Sequence, residues 1–336
     1  MQFKLGTFSA PGGAPYPAMV FDDRVIGLAA LQDRYRGSLQ ARAGALAGAA
    51  SLFDLLQDWD HNFAVLLAMA EFAAAEGLVS PRIAPICASL GMLTVHPPMP
   101  RPGKMLHSAA NYRGHVVEMR EYSHSQGQFD RSKSFSGDKT QARPYFFLKA
   151  ASALIGAYDD ILLPEGAHQI DWEVELAAVI GRRARRVGAG AAMAHVAGYM
   201  TTNDLSCRDL LFRDDRQTFR TDWFASKSLD TFAPTGPFFV PRAFIPDHGA
   251  VRLRLKVNGT VRQDGSTADM IFGCEEQVEY LSHLLTLEPG DVIATGTTAG
   301  VGQATGTYLA AGDLVEAEVE GVGAQRNRVV AAPEAG

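Results

Sequence analysis

The spacing of hydrophobic and polar positions changes character three times along the chain. From residue 1 to about residue 35, the short apolar runs "MQFKLGTFS", "PAMVFDD" and "RVIGLAAL" alternate with Gly/Pro turns and the acidic pair Asp22-Asp23. That pattern predicts a short β unit. From there to about residue 88 the sequence is alanine-rich with a helical period, and Asp54, Asp58, Asp60 and His61 fall on the wet side of amphipathic helices. The stretch "TVHPPMPRPGKM" then brings four prolines together. Proline cannot continue a helix, so this stretch sets a boundary between a small N-terminal α/β domain over residues 1–95 and a larger domain over 100–332.

Beyond residue 104 the runs are short and β-rich: "YFFLKA", "DDILLP", "WEVELAAVIG", "VAGYMTTND", "GPFFVP", "RLRLKVNG", "DVIATG" and "DLVEAEVEGVG". Helical period is confined chiefly to "HVVEMREYSH" and "CEEQVEYLSHLL". Many strands without regular β-α alternation predict an α+β, β-rich fold with a mixed, barrel-like core rather than a doubly wound sheet. Between Glu121 and Pro144 the chain is polar and glycine-containing with no apolar period. Such an insertion reads either as disorder or as a functional lid.

Composition narrows the function classes. Of 336 residues, 47% are hydrophobic and 20% charged, which is ordinary for a globular chain. A formal charge of -6 argues against a nucleic-acid footprint, and the lone basic run Arg182 to Arg186 reads as a solvated turn after a strand. The N-terminus has no apolar signal core and no segment offers the apolar run of a spanning helix, so no membrane partner is expected. Cys87, Cys207 and Cys274 are odd in number, widely spaced and lack a C-x-x-C pair, which fits reduced thiols in a cytoplasmic enzyme.

Chemistry enters with "IDWEVELAAVIG". In a strand, Glu173 and Glu175 project to one side while Trp172, Val174, Leu176 and Ile180 line the other. Two carboxylates so close call for a raised pKa or a bound cation. Asp204, at the polar end of the strand "VAGYM" in "TTNDLSCRD", supplies a third oxygen donor. With no Cys or His beside them, three carboxylates suit Mg²⁺, Mn²⁺ or Ca²⁺ better than zinc. Spacing alone leaves a second reading open, in which the glutamates face solvent on an edge strand and Asp204 caps a turn.

Three further motifs carry candidate roles. In "NYRGHVVEM", His115 and Glu118 are three apart and share a helix face, where the carboxylate can orient the imidazole as a general base; the bland alternative is an exposed surface pair. Lys227, in "WFASKSLDTFAPTGP", is either an oxyanion-stabilising cation or a solvated surface group. The turn "LEPGDVIATGTTAGVG" has neither the G-K-[ST] of a P-loop nor the G-x-G-x-x-G of a dinucleotide fold, which leaves backbone N–H groups for a carboxylate or a plain turn.

Taken in order, "NYRGHVVE", "FLKAASALIG", "DWEVELAAVIG", "VAGYMTTNDLSCRDL", "KSLDTFAPTGP", "VNGTVRQDGSTADMIF", "YLSHLLTLEPGDVIATGTTAGVG" and "GVGAQRNRVV" closely resemble the fumarylacetoacetate hydrolase family, in its acylpyruvate hydrolase-like subgroup. The resemblance implies that family's mixed β-roll core, a Mg²⁺- or Mn²⁺-dependent site in which Ca²⁺ can stand in a crystal, a homodimer and a lid over about 112–145. It makes Glu173, Glu175 and Asp204 metal ligands, His115 and Glu118 the water-activating dyad, and Lys227 the catalytic cation. Arg208, Thr297 and, less closely matched, Tyr112 become substrate contacts. Ser108 and Leu211 stand where fumarylacetoacetase has a fourth metal carboxylate and a glutamine, and Thr298 replaces a proline in the glycine turn. The expected activity is hydrolysis of a C–C bond in a small 2,4-dioxo acid. Decarboxylation or keto-enol tautomerisation of oxaloacetate-like acids is the alternative, and a non-catalytic metal- or ligand-binding relative a second.

Overall fold

The computed structural model describes residues 1–39, 41–125, 135, 137–215, 218 and 220–333. Part of the polar insertion, residues 126–134 and 136, lies outside the described residues, and with it part of the expected lid.

The strand Val174–Ile180 organises the molecule because both of its faces are apolar and every residue of it is buried. It pairs antiparallel with Val196–Asn203 on one side and with Val292–Thr297 on the other. Met105–Ala109, parallel to Val292–Thr297, and Tyr145–Leu148 extend the sheet in one direction, and Val240–Pro241 ends it in the other. The alternation of strand side chains splits this sheet's residues between two cores. Leu176, Ala178, Ile180 and Tyr199 face a second sheet, whereas Ala177, Val179, Ala197 and Met200 face the N-terminal region.

The second sheet runs in the order Thr260–Ser266, Arg252–Val257, Leu314–Val319, Gly323–Ala331, Ile161–Leu163. Its strands show the alternating burial of a sheet wet on one face, as in Arg252–Val257, where Leu253, Leu255 and Val257 point inward. This β-rich pair of curled sheets is the mixed core expected from the sequence.

The N-terminal region forms a five-stranded antiparallel sheet backed by the helices Leu28–Arg36 and Trp59–Glu76. Its last strand, Thr94–His96, returns to pair with Lys4–Ser9, and residues 97–104 carry no regular element. The region is fastened to the central sheet rather than hung from a linker. Leu5 and Phe239 exchange both backbone hydrogen bonds at 2.8 Å. The Phe239 ring meets Trp59 edge to face at 5.3 Å, and Gly198 lets that ring in, since a Cβ there would lie 2.6 Å from it.

Phe239 is 2% exposed, so Phe239→Ala leaves a cavity in the shared core and should cost about 3–5 kcal/mol. Urea unfolding monitored by tryptophan fluorescence checks this, and a loss below about 1 kcal/mol would show that the two cores are not energetically joined.

Candidate metal centre and active site

The carboxylates lie where the central strand meets its neighbours' polar ends. Ile170–Asp171 and Val174–Ile180 are separate strands, so the expected single strand is broken at Trp172 and Glu173. The break has a cause. The Glu173 backbone N–H donates to the Asn203 side chain at 2.9 Å, and its carbonyl accepts from the Asp204 backbone N–H at 2.8 Å. The edge-strand reading fails, because Val174–Ile180 is flanked on both sides and Glu175 is fully buried.

Asp204 is gripped by two ammonium groups. Lys149 donates to its Oδ1, and Lys227 donates to its Oδ2 at 2.8 Å and to Glu173 Oε2 at 2.9 Å. Arg208 donates to Glu173 Oε1 at 2.6 Å and grips Asp171 Oδ2 through two N–H groups at 3.0 and 2.8 Å. Asp171 also accepts from the backbone N–H groups of Gly302 and Gln303, which ties the glycine turn to the cluster. Glu175 stands apart. Its Oε2 accepts from the Gly296 N–H at 2.9 Å, and its Oε1 is buried without a partner.

The electrostatics follow from this pairing. Burial alone pushes carboxyl pKa values up, but Lys149 and Lys227 hold Asp204 well below the usual range, and Lys227 and Arg208 hold Glu173 below it. For Glu175, burial and repulsion from Asp204 and Glu173 act together, and its pKa rises well above the ordinary value. Burial lowers Lys149 to about 8 against the pull of Asp204. Lys227 and Arg208 are raised, because their carboxylate partners outweigh burial.

A histidine also reaches this centre, beside the three carboxylates. The parallel pairing of Met105–Ala109 with Val292–Thr297 sets His107 opposite Ala294, and His107 Nδ1 lies 3.4 Å from Asp204 Oδ2. One donor atom each from His107, Glu175 and Asp204 lies within 4.8 Å of the others. Both ring nitrogens of His107 are buried without a hydrogen-bond partner, and burial lowers its pKa, which favours the uncharged form that can ligate. Together with the orphaned Glu175 Oε1, this donor set fits a divalent cation. Glu173 turns instead toward Lys227 and Arg208.

Across a cavity of about 210 Å³ from this cluster stands the helix Arg113–Ser125. Its first turn is capped by Asp269, which accepts from the Gly114 N–H at 2.7 Å. His115 Nδ1 faces Glu118 Oε2 at 3.5 Å, and Glu118 Oε1 accepts from the Gly300 N–H at 2.8 Å. Gly300 has φ +101°, and a Cβ there would sit 2.0 Å from the Arg262 carbonyl, so this turn requires glycine. The replacement at Thr298 does not leave the turn free. Thr298 is buried against Gly265, and Gln263 donates to its carbonyl at 2.8 Å.

His115, Glu173, Lys227, Arg208 and Thr297 all line the cavity. The Thr297 hydroxyl is already committed, donating to the Val174 carbonyl at 2.9 Å and accepting from Gln263 at 2.8 Å. Tyr112 is fully buried against Gly296 and is not among the lining residues. Sequence reasoning missed His107, Lys149 and Asp171. The signal for Lys149 was a cation ending the apolar run "YFFLK". A lone histidine in "KMLHSAANY" gave none, since only the strand pairing brings it to the carboxylates.

Residues 104–330 match the family model described as fumarylacetoacetate (FAA) hydrolase C-terminal, and the chain belongs to the fumarylacetoacetate hydrolase family. Over 236 residues it is 37% identical to the oxaloacetate tautomerase FAHD2A, mitochondrial, of Bos taurus, covering 69% of this chain and 68% of that one. Among solved structures it resembles a fumarylacetoacetate hydrolase from Exiguobacterium antarcticum, with TM-score 0.71, 26% identity and coverage of 98% and 100% of the two chains. A maleylpyruvate hydrolase from a Sphingobium species, also solved with manganese(II) and pyruvate, matches with TM-score 0.68, 25% identity and the same coverage. The family's enzymes similar to this chain thus include hydrolases, isomerases and tautomerases. Among the described residues no helix is long and apolar enough to cross a membrane.

Glu175→Gln separates the cation's contribution from the scaffold's. Because the folded pKa of Glu175 is raised, its contribution to stability is present below the unfolded value near ~4.3 and is lost as pH rises through the folded value. Ionising the buried carboxyl therefore costs stability at neutral pH, and the metal-free variant should be at least as stable as wild type there. Wild type should gain about 2.7 kcal/mol from Mg²⁺ or Mn²⁺ at about 100 times the dissociation constant, and the variant should gain far less. Thermal unfolding with and without metal measures both, and an equal gain in the two proteins would remove Glu175 from the ligand set.

Proposed function

We propose that the protein is a divalent-metal-dependent hydrolase that cleaves the C–C bond of a small 2,4-dioxo acid of the acylpyruvate type. The carrying observation is the His115–Glu118 dyad facing Glu173 and Lys227 across one small cavity. A water-activating base and a charge-stabilising cation therefore flank the same space. Its volume, about 210 Å³, is below the roughly 300–1,000 Å³ of pockets for drug-sized ligands, which suits a short-chain acid.

Glu175, Asp204 and His107 would hold Mg²⁺ or Mn²⁺, with Glu173 beside them. Such an ion supplies Lewis-acid polarisation of the 2-oxo acid end and tolerance of the enolate's negative charge. The chain's own residues do the rest. Glu118, fixed by the Gly300 N–H, faces the Nδ1 side of His115 at 3.5 Å, which leaves Nε2 as the atom to take a proton from water. The hydroxide oxygen bonds to C4 of the substrate, the C3–C4 bond breaks, and the electron pair leaves on the pyruvate enolate. Return of the proton to C3 completes pyruvate, and the acyl group departs as a carboxylic acid.

Lys227 has three N–H donors, two of them spent on Glu173 and Asp204. The third is available to the oxyanion at C4. The structural support for this role is that Lys227 is 1% exposed yet lines the cavity, so its charge acts where water is scarce.

A second reading is supported by the bovine relative, whose name gives it as an oxaloacetate tautomerase. Tautomerisation of an oxaloacetate-like acid uses the same enolate-tolerant centre but needs proton transfer without attack by water.

The test is an assay with acetylpyruvate, fumarylpyruvate and oxaloacetate, with and without Mg²⁺ or Mn²⁺. Wild type should hydrolyse an acylpyruvate only with metal, and His115→Ala should lose about 10²–10⁴ in kcat. No metal-dependent turnover of any of the three defeats the enzymatic reading. Enolisation of oxaloacetate at full rate in His115→Ala, without acylpyruvate hydrolysis by wild type, favours the tautomerase.

A further inference from the structure

The cavity has two chemically different ends, and the hydrolytic chemistry uses only one. At the charged end stand Glu173, Lys227 and Arg208. From Lys227 an aromatic ladder leads away. Its ammonium lies 5.1 Å from the Phe147 ring centroid, and Phe147 lies 5.1 Å from Trp223. Met119, Leu211 and Phe212 complete the lining beside these rings.

Among the described residues, this second end brings no counter-charge of its own. Among the described lining residues the permanent cations are Arg208 and Lys227, and both are bound to carboxylates of the charged end. Arg213, next to Phe212 in the chain, is occupied by Asp215 at 2.7 Å and Asp222 at 3.0 Å. Asp222 in turn caps the short helix Trp223–Lys227 by accepting from the Ala225 N–H. A substrate carboxylate brought here would lose its hydration and find, among the described lining residues, no cation that is not already paired with a carboxylate, whereas a ring or alkyl group would exchange water for apolar surface.

We propose that the group carried at the far end of the substrate is uncharged and apolar, an aryl ring or short alkyl chain held by Phe147, Trp223 and Leu211. This rests on the reading above that the 2-oxo acid head binds at the charged end. The aromatic residues then act as specificity determinants, selecting arylacyl- or alkylacyl-pyruvates over dicarboxylic ones. Trp223 sets the depth of the site and Leu211 its polarity.

Binding by two inert ligands tests the proposal separately from catalysis. 2-Oxo-4-phenylbutanoate and 2-oxopentanedioate share the 2-oxo acid head and differ in the far group, and neither has a C4 ketone to hydrolyse. By titration calorimetry on the Mn²⁺-loaded protein, the phenyl compound should bind at least about tenfold more tightly. Trp223→Ala should erase most of that preference while leaving 2-oxobutanoate unaffected, and Leu211→Arg should turn it toward the dicarboxylate. Circular dichroism and the thermal midpoint confirm that both variants fold.

Equal or tighter binding of the dicarboxylate by wild type overturns the proposal, as does an unchanged preference in both folded variants. If neither ligand binds, the head placement falls and the proposal with it. In parallel, 2,4-dioxo-4-phenylbutanoate is compared with fumarylpyruvate as a substrate. No hydrolysis of either, with the binding preference intact, overturns the hydrolase reading and upholds the apolar end.

Discussion

The clasp of Asp204 between Lys149 and Lys227 is the interaction on which the site depends. Taking ions out of water costs several kcal/mol each, and this protein buries Asp171, Glu173 and Asp204 together with Arg208, Lys149 and Lys227. The cost is met by pairing. Each of those carboxylates has at least one cation at hydrogen-bond distance, and Lys227 and Arg208 each bridge two. Glu175 is left over without a cation, and burial together with repulsion from Asp204 and Glu173 raises its pKa. The cluster is therefore one positive charge short of balance when Glu175 ionises, a deficit that a cation ligated by Glu175 would fill.

Such a cluster needs a scaffold that cannot relax around it. The central strand provides it by being apolar on both faces, so that a one-residue slip of register would take Glu175 out of the centre and disrupt two cores at once. The N-terminal region acts in the same direction. Its helices cover the face that carries Ala177 and Val179, and the Leu5–Phe239 pairing locks it on. An accessory region with no residue lining the cavity thus holds the cavity in shape.

How far the sequence disclosed this depends on which force placed each residue. Local patterning was legible: the β-rich core and the helices Arg113–Ser125 and Cys274–Leu284 follow from period and turn chemistry over a few residues. The pairing of His115 with Glu118 was equally local. The break at Glu173 was not, because it is set by Asn203 and Asp204 from another strand. His107 and Lys149 escaped for the same reason. Nothing adjacent in the chain distinguishes them from a core histidine and a strand-end lysine, and only the pairing order of the sheet brings them to Asp204. The resemblance to a family named the carboxylates Glu173, Glu175 and Asp204 together with Lys227 and Arg208, but not Lys149, the second cation on Asp204.

The two histidines show how environment divides the labour. His107 is fully buried beside Asp204 and stacked on Phe147 at 5.6 Å, a place where a proton is costly and a lone pair is directed at the carboxylates. His115 keeps 12% of its side chain exposed, with Glu118 behind it and the cavity before it. The proposed hydrolysis would ask a ring to take a proton and later give it back, for which a carboxylate beside it and an outlet to water are needed, and His115 has both. A ring that must only donate electrons to a cation is better kept dry. Because Glu118 is held by the same glycine turn whose next residues bind Asp171, the base and the charge cluster share one rigid connection, and a displacement of that turn disturbs both.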